Sequence, residues 1–429
     1  MSKTEVLVVG AGIAGLTSAA ILSKLGFQVT LIESHTQSGG CAGTFKRKNY
    51  TFDVGATQVA GLENGGIHSK IFNFLEVATP EATILDPSCI VDLNDGSKPI
   101  PIWYEKNDWT LEREMQFPGS SKFWQLCSLI HQSNWTFANK NPILPFNNFW
   151  DFSQLLRALS PSNLLTGILL KSTVFDLLRI CGLSTDARLI KFLNLQLKLY
   201  SQEDVYNTAA LYGSTVLQMC QKPHGLWHLK KSMQSLSEAL ENSLHKTGAN
   251  IIFGQKVDSI VSDNLNKCWK VFAKSKKCVF EYSANNLIYT APPQSLLEHL
   301  NEPLSKNPIY KNRLNNLPKP SGALVFYSAL KVEHLKSVSS NHYQFISHEL
   351  GSLFVSISED GDGRAPKGEI TLIASLFTQV EDWIDLGKDA YLEKKNNYLN
   401  KISFELESQF DIDSQNWLHK ELATPLGFE

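Results

Sequence analysis

The first forty-four residues carry the pattern that most restricts how this chain can fold. Residues Glu5–Val9 form a short apolar run rich in Val, which predicts a buried parallel strand. The glycine-rich segment GAGIAG follows directly at residues 10–15, and a second apolar run, Gln28–Ile32, ends at Glu33. Strand, glycines, helix and second strand in this order predict a Rossmann-type βαβ unit.

Three glycines of this segment each meet a separate steric need. Gly10 permits the tight turn out of the strand, Gly12 lets the backbone approach a pyrophosphate, and Gly15 lets the next helix pack against the strand. That helix begins at Ile13 and Ala14, so its first amide groups and its partial positive charge point at the phosphates. The segment therefore predicts a dinucleotide-binding site. A glycine-rich turn of an unrelated α/β protein would leave the next acidic residue unexplained.

That acidic residue is Glu33, which lies where a carboxylate can accept hydrogen bonds from a ribose diol, with Ser34 beside it. These features alone do not separate FAD from NAD. A second glycine cluster follows at once, and its members, with the adjoining threonine, are Gly39, Gly40, Gly43 and Thr44. A further close backbone approach to the same ligand suits the longer FAD better than NAD, and an ordinary loop is the alternative interpretation.

Length and composition bound the fold class and the partners. A chain of 429 residues exceeds one ordinary core, so two domains are expected. The net charge of −2 and the pI of about 6.6 argue against a nucleic-acid partner held by a general basic field. Seven scattered cysteines without a CxxC pair favour reduced thiols in the cytosol, and they argue against a disulfide framework or a metal site.

One apolar segment raises the question of membrane contact. No run reaches the roughly 20 apolar residues that a spanning helix needs. Residues Leu164–Ile180 nevertheless predict a strongly apolar helical segment, interrupted only by Lys171, Asp176 and Arg179. Such a segment can lie in a lipid interface or be buried between domains, and the sequence leaves both possibilities open.

The chain then returns to the first domain. Residues Pro223–Leu226 predict the opening of a helix from about His228 to Lys246, and a strand follows over residues 248–253. The later apolar strand from Asn286 ends at Ala291 and two prolines. We therefore place Ala291 beside the nucleotide, at the carboxyl edge of a parallel sheet.

Helical and strand patterns alternate in the rest of the chain. Between residues 120 and 200 apolar side chains recur every three to four positions, which predicts helices. Three later runs predict antiparallel strands, namely Ala323–Leu330, Leu353–Ser358 and Ile370–Ser375. The segment Asp360–Gly363 superficially resembles a calcium loop, but Arg364 stands where the next acid is needed, so we interpret it as a turn.

Several stretches together resemble the phytoene-desaturase and carotenoid-isomerase flavoproteins. They are GAGIAGLTSAAILSKLGFQVTLIE, SGGCAGTFKRKNYTFDVGATQVAGLENGG, FLNLQLKLYSQ, the Pro223-His224-Gly225 segment and SEDGDGRAPKGE. The second and third stretches look most like the carotenoid 3′,4′-desaturase branch. The resemblance covers nearly the whole chain.

The resemblance implies an α/β fold, a Rossmann-type FAD-binding domain (GR2-like) with an inserted α+β substrate domain. The FAD-binding domain would comprise residues 1–75, 220–293 and 411–429, and the substrate domain residues 76–219 and 294–410. Proteins of this family continue past the equivalent of Thr424–Glu429 with a segment that closes over the flavin. We therefore expect the FAD-binding domain to be C-terminally incomplete, because the chain is either a fragment or a natural truncation with a weakened cofactor site.

The resemblance also implies roles for particular residues. In such proteins the first glycines and the ribose acid bind the ADP part of FAD, and these positions correspond here to Gly10, Gly12, Gly15 and Glu33. The second glycine cluster would follow the pyrophosphate and the ribityl chain. The backbone at Val257 would meet the adenine.

The activity that the resemblance implies is desaturation of a CH–CH bond in an apolar carotenoid polyene, with FAD as cofactor. The protein would be cytoplasmic and in peripheral contact with a photosynthetic or plasma membrane. Because the charge left by hydride loss would spread over the polyene, no strong base is required, and we assign no catalytic side chain. Two alternatives stay open: cis–trans isomerisation of a carotenoid by reduced flavin, and a non-catalytic carotenoid-binding remnant.

Overall fold

The computed structural model describes residues 2–263, 265–276, 278–301, 306–317, 321–336 and 338–427. The strands of this part of the chain are β1 (Ser2–Val9), β2 (Val29–Ile32), β3 (Thr44–Arg47), β4 (Tyr50–Asp53), β5 (Val59–Ala60), β6 (Ala82–Ile84), β7 (Cys89–Asp92), β8 (Ile100–Ile102), β9 (Leu226–Leu229), β10 (Asn250–Ile252), β11 (Lys256–Asp263), β12 (Cys268–Lys274), β13 (Val279–Tyr289), β14 (Ser321–Lys331), β15 (His342–Ser347), β16 (Gly351–Ile357), β17 (Glu369–Gln379) and β18 (Trp417–Ala423).

The helices of the same ranges are α1 (Ile13–Lys24), α2 (Ile67–Leu75), α3 (Lys106–Gln116), α4 (Ser121–Ala138), α5 (Phe149–Ala158), α6 (Pro161–Gly167), α7 (Val174–Ile180), α8 (Ala187–Ser201), α9 (Ala210–Val216), α10 (Gln234–Thr247), α11 (Pro293–His299), α12 (Pro308–Asn315), α13 (Glu381–Ile384) and α14 (Lys388–Phe410). No helix in these ranges has both the length and the apolar character required to cross a membrane.

The first part of the fold is organised around a six-stranded sheet in the order β10-β2-β1-β13-β12-β11, which combines N-terminal strands with strands from residues 250–289. The first four strands are parallel, and the last two are antiparallel to their neighbours. In the register of β1, Val9 lies between Ile32 and Tyr289, so three carboxyl ends meet at one edge. This arrangement confirms the predicted Rossmann-type α/β fold.

Two local predictions in this part of the chain were wrong. Leu226–Leu229 does not open a helix but forms β9, which pairs with β5 and β6, and the helix α10 begins only at Gln234. The strand predicted from Asn286 begins earlier, at Val279, and is part of one continuous strand, β13. That strand pairs with β12 on one side and with β1 on the other, and apolar periodicity carries no signal for such a shared strand.

The second part of the fold is organised around a seven-stranded sheet in the order β18-β14-β17-β16-β15-β7-β8. The three predicted strands at residues 323–330, 353–358 and 370–375 are confirmed as the central parts of β14, β16 and β17, which pair antiparallel. One face of this sheet packs against α14 through the buried residues Ile402, Leu406 and Phe410.

The division into domains stays a prediction, and one pairing weighs against a part of it. Residues 411–429 were assigned to the FAD-binding domain, but β18 pairs antiparallel with β14, from Val325 beside Ala423 to Leu330 beside Trp417. The sequence pattern of a short edge strand does not identify its distant partner. Phe428 and Glu429, on which the expectation of an incomplete C-terminus also rests, lie outside the described residues, as do parts of the segment 294–410.

The apolar segment Leu164–Ile180 is not one helix. Its first part belongs to α6, where Leu164 and Leu165 are exposed. Its second part is α7, where Leu177 and Leu178 are fully buried. The break is local, because the side chain of Thr173 accepts a hydrogen bond from the Asp176 amide and starts a new helix with a capping box. The segment is therefore exposed in its first part and largely buried in its second, and its contact with a lipid interface stays a prediction.

Candidate functional site

The turn after β1 depends on two glycines and a threonine. Gly10 has a φ of +101°, and a Cβ placed there would lie 2.7 Å from Oγ1 of Thr290. A Cβ on Gly15 would lie 1.9 Å from the Gly10 carbonyl oxygen, so only glycine allows α1 this close to the strand. The Thr290 hydroxyl donates to the Val9 carbonyl at 2.9 Å and thereby joins the end of β13 to this turn.

The N-terminus of α1 presents free backbone amides. Its N-cap residue, Gly12, carries no capping side chain, and its first turn holds no acidic residue. A Cβ built on Gly12 would meet no atom within 4 Å, so the backbone here borders open space. Ile13 and Ala14 are the next two residues, and Ala14 is exposed. An uncapped helix N-terminus beside open space is suited to a phosphate group.

The second glycine cluster lies against the first. The Gly39 amide donates to the Ala11 carbonyl at 2.8 Å, and Gly12 and Gly39 form an isolated bridge. Gly39 and Gly40 both have positive φ, +119° and +56°, a conformation that favours glycine. The structure therefore brings the two predicted clusters to one place.

The cluster continues into a β-hairpin, β3–β4. The Gly43 carbonyl accepts a hydrogen bond from the Val54 amide at 2.9 Å, and buried Thr44 begins β3. The exposed residues Gly55 and Ala56 follow β4. The loop of the second glycine cluster and the segment after the hairpin thus run side by side.

Glu33 is oriented by three hydrogen-bond donors. Its Oε2 accepts from the Ala11 amide at 2.7 Å, and its Oε1 accepts from the His35 amide at 2.7 Å and from the Ser34 hydroxyl at 3.0 Å. A carboxylate offers about four acceptor positions, so roughly one remains for a further donor. That position suits a ribose hydroxyl.

The two remaining predicted residues also lie at this edge. The amide of Gln255, two residues before Val257, donates to the Glu33 carbonyl at 2.9 Å, and Val257 is buried in the same core as Val9 and Ile32. Ala291 follows Thr290, and its amide nitrogen would lie 3.7 Å from a Cβ on Gly10. The thirteen residues predicted for the cofactor therefore come from segments that meet around the carboxyl edge of the parallel strands, and their contact with a cofactor stays a prediction.

A group of buried charges that the sequence did not reveal lies beneath the hairpin. Arg364 donates to Asp53 Oδ2 at 3.0 Å and to Asp362 Oδ2 at 2.8 Å, and His228 Nε2 lies 3.0 Å from the same oxygen of Asp362. All four side chains are at most 3% exposed. The Asp360–Gly363 segment is a turn, as predicted. Its Asp362 pairs with the nearby Arg364, and the two residues also contact the distant His228 and Asp53, respectively.

Burial and charge act in opposite directions on these groups. Burial raises the pKa of Asp53, although Arg364 and the Met233 amide oppose the change. Burial would also raise the pKa of Asp362, but the hydrogen bond from His228 and the Arg364 charge outweigh it, so that this pKa is lowered. Nearby His342 is fully buried, which holds its pKa well below the ordinary value and keeps the ring neutral at pH 7.

The residues at this edge of the sheet fit FAD. The uncapped helix end and the two glycine clusters suit a diphosphate, and the partly satisfied carboxylate suits a ribose. Within the described residues no group of three or more His, Cys, Asp and Glu side chains is placed to hold a metal ion. The assignment of each residue to a part of the cofactor stays a proposal.

Comparisons with known proteins agree with this geometry. Residues 8–75 match the model of the NAD(P)-binding Rossmann-like domain family. The chain is 24% identical over 449 residues to the chloroplastic prolycopene isomerase of Arabidopsis thaliana, which covers 99% of this chain and 72% of the isomerase. It is 22% identical over 365 residues to the 4,4′-diapolycopene oxygenase of Methylomonas sp, which covers 79% of this chain and 68% of the oxygenase.

The chain resembles carotenoid-modifying flavoproteins. This confirms the resemblance predicted from the sequence, and with it FAD as the cofactor. The all-trans-retinol 13,14-reductase of Rattus norvegicus is also similar, at 23% identity over 400 residues that cover 89% of this chain and 63% of the reductase.

Solved structures show the same flavoprotein fold. An oxidoreductase from Methanosarcina mazei superimposes with a TM-score of 0.63 at 17% identity, over 99% of this chain and 86% of that one. The cyclohexylamine oxidase from Brevibacterium oxydans superimposes with a TM-score of 0.60 at 15% identity, over 99% and 85%. At these identities the superpositions establish the fold alone.

Proposed function

We propose that this protein is an FAD-dependent oxidoreductase that desaturates a CH–CH bond of a carotenoid polyene. The observation that carries the proposal is the meeting of both glycine clusters and Glu33 at the carboxyl edge of β1, β2 and β13. The similarity to a prolycopene isomerase and a diapolycopene oxygenase, over 99% and 79% of the chain, supports an apolar polyene as the substrate class.

The residues of the chain would act by binding and orientation. The amides at the start of α1 and the backbone of Gly39 and Gly40 would hold the diphosphate, and Glu33 would hold the ribose. FAD, when bound, supplies the hydride acceptor. One hydrogen of the saturated bond would leave as a hydride and the other as a proton. The residual positive charge would spread over the conjugated chain, so the reaction requires no strong base.

Isomerisation is the second candidate function. It is favoured by the similarity to prolycopene isomerases, which extends over 98–99% of this chain in both the Arabidopsis and the carrot proteins. Isomerisation needs reduced flavin and leaves the number of hydrogens in the polyene unchanged. Desaturation instead lengthens the conjugated system and removes two hydrogens.

The deciding experiment is incubation of the FAD-loaded protein with a lycopene-type polyene, with a quinone as electron acceptor. A red-shifted absorption spectrum together with loss of two hydrogens in the mass spectrum would support desaturation. A changed elution time at unchanged mass, obtained only with reduced flavin, would support isomerisation instead. A Gly12→Val variant is the control, because its side chain would occupy the open space beside the α1 amides.

The partner that we propose for the region of α5 and α6 is a membrane surface. Ten exposed large apolar side chains fall within residues 144–170: Leu144, Phe146, Phe149, Trp150, Phe152, Leu156, Leu164, Leu165, Ile168 and Leu170. We call this set the apolar patch. Between residues 144 and 170 the only charged residues are Asp151, which is buried, and Arg157, and Lys140 and Lys171 flank the stretch. Exposed apolar side chains flanked by cations suit an anionic lipid interface, from which a polyene could be taken up.

A further inference from the structure

A polar groove lies beside α3 and α4, and none of its described lining residues belongs to the proposed dinucleotide site. It consists of two adjoining cavities of 260 and 440 Å³ between α3, α4 and the segment Gln218–His224. The two cavities have four lining residues in common, which makes the groove continuous: Lys106, Ser128, Gln218 and Gln221. On α3 the lining residues are spaced by three, four, seven and eight positions from Lys106, the last being Glu114, so they occupy one helix face.

The lining of this polar groove is unsuited to a polyene. Within the described residues, no Val, Leu, Ile, Met or Phe side chain lines either cavity. The apolar lining consists of Pro223 and three tryptophan rings, and the other side chains are amides, hydroxyls, histidines and charged groups. A cavity with this lining favours a hydrogen-bonding ligand.

Several buried polar atoms of the residues that line the polar groove have no hydrogen-bond partner in the described part of the chain. Three are donors: Nε1 of Trp109, Nε of Arg113 and Nε2 of Gln218. Two are acceptors or can serve as acceptors: Oε1 of Gln221 and Nδ1 of His131. The side chains of Trp109, Gln221 and His131 are only 2%, 3% and 7% exposed. Because unpaired buried polar groups are costly, this concentration of them points to a ligand.

Positive charges outnumber negative ones in the polar groove: Lys106, Arg113 and Lys222 line it, and Glu114 is the one carboxylate among its lining residues in the described part of the chain. The Arg113 guanidinium lies 5.5 Å from the ring of Trp109 and 5.0 Å from that of Trp124, and its one side-chain hydrogen bond goes to the Thr110 hydroxyl at 2.9 Å. Neither Arg113 nor Lys106 has a carboxylate within 4.0 Å among the described residues. Burial lowers the pKa of Arg113 to about 10, which leaves it charged at neutral pH.

We propose that the polar groove binds a hydroxylated oxyanion, with a carboxylate or phosphate group held by Arg113, Trp109 and Gln218. Lys106 lies about two helical turns from Arg113 on the same face of α3, and it supplies the second positive charge. The Gln221 carbonyl oxygen and the bare nitrogen of His131 accept hydrogen bonds from the hydroxyl groups of the ligand. The His131 ring is neutral at pH 7, because burial and the positive charges nearby lower its pKa to about 4. This site is independent of the proposed polyene chemistry.

The test is a binding titration on the FAD-loaded full chain without polyene, at constant ionic strength maintained with sodium chloride. The probes are inorganic phosphate, glycerol phosphate, acetate and lactate, followed by calorimetry and by the fluorescence of the groove tryptophans. We expect saturable binding. In one of the two pairs the hydroxylated probe should bind more tightly: glycerol phosphate more tightly than phosphate, or lactate more tightly than acetate. The better pair identifies whether the natural group is a phosphate or a carboxylate.

Variants separate the site from general charge effects. Arg113→Gln should weaken binding by about tenfold or more, because it removes a charged donor, and Trp109→Phe should weaken it less, since only one neutral donor is lost. Arg313→Gln removes an equally charged but exposed arginine on α12 and should leave binding unchanged. Melting curves establish that each variant is folded. Absence of saturable binding for all four probes, or equal affinities of the wild type and Arg113→Gln, would overturn the proposal.

Discussion

Arg364 donates two hydrogen bonds to Asp53 Oδ2, from Nε at 3.2 Å and from Nη2 at 3.0 Å, across 311 positions of the chain. The other oxygen of Asp53 accepts from the Met233 amide at 2.8 Å, just before α10. Arg364 also donates to the Leu229 carbonyl at 2.8 Å. One guanidinium thus joins the hairpin that follows the second glycine cluster, the entry to α10 and the turn between β16 and β17.

Replacement of Arg364 by Met should destabilise the protein by about 3–5 kcal/mol, because two buried carboxylates, Asp53 and Asp362, would lose their common cation. Denaturant unfolding at pH 7 measures the loss. The matched control is Arg47→Met, which breaks the exposed pair with Glu421 and should cost less than about 1 kcal/mol.

A second variant identifies the cause of that loss. Addition of Asp53→Asn to Arg364→Met removes one of the two buried, uncompensated negative charges. The double variant should therefore be more stable than Arg364→Met alone. If both variants unfold at the same denaturant concentration, the charge explanation is wrong and the effect of Arg364 is one of packing.

The sequence predicted the strand, glycine turn and helix after β1 well because each of these parts is local. Gly10, Gly12 and Gly15 lie within six residues, and the helix that follows is fixed in direction by β1. The bound position of Glu33 follows from the end of the next parallel strand. Chemistry that depends on neighbours in sequence can be read from spacing.

The parts that the sequence did not predict depend on distant partners. Thr290 fills the space that Gly10 and Gly15 leave open, but it is 280 positions from Gly10. Arg364 seemed only to disqualify a calcium loop, since nothing near it in sequence indicates Asp53. The strand Leu226–Leu229 was read as a helix because its four residues are too few to show a period, and its partners β5 and β6 decide its conformation.

Alanine should impair folding at Gly15 but not at Gly12. Gly15→Ala places a Cβ 1.9 Å from the Gly10 carbonyl oxygen, so the helix must shift and the free energy of unfolding should fall by at least about 1–3 kcal/mol. Gly12→Ala meets no atom within 4 Å and should fold normally, with weakened FAD binding. Thermal unfolding without FAD and a flavin fluorescence titration measure the two effects. Tight FAD binding by a stable Gly12→Ala variant would contradict the proposed position of the diphosphate.

His131 should make the protein less stable as the pH falls from about 6.5 to about 4. Its folded pKa of about 4 lies below the ordinary value, so between these pH values the unfolded chain binds more protons than the folded one. His131→Gln keeps a hydrogen-bonding group near the Thr215 backbone but does not titrate. The difference in unfolding free energy between wild type and variant should change by about 1–3 kcal/mol between pH 7 and pH 4, less any screening by water in the groove. A constant difference would contradict the burial of a neutral ring.

The last prediction concerns the apolar patch. Phe149 is 94% exposed, Trp150 63% and Ile168 80%, and transfer of such side chains from water to lipid contributes about 1.5–3 kcal/mol each when complete. A Phe149→Ser, Trp150→Ser, Ile168→Ser variant should therefore bind anionic vesicles at least about a hundredfold more weakly in a flotation assay. The control variant carries Ser at Leu265, Ile309 and Phe404, which are 95%, 80% and 70% exposed. It should bind vesicles like the wild type, because these residues do not belong to the apolar patch. Equal weakening in both variants would mean that binding reflects general surface hydrophobicity, and the apolar patch would then have no special role at the membrane.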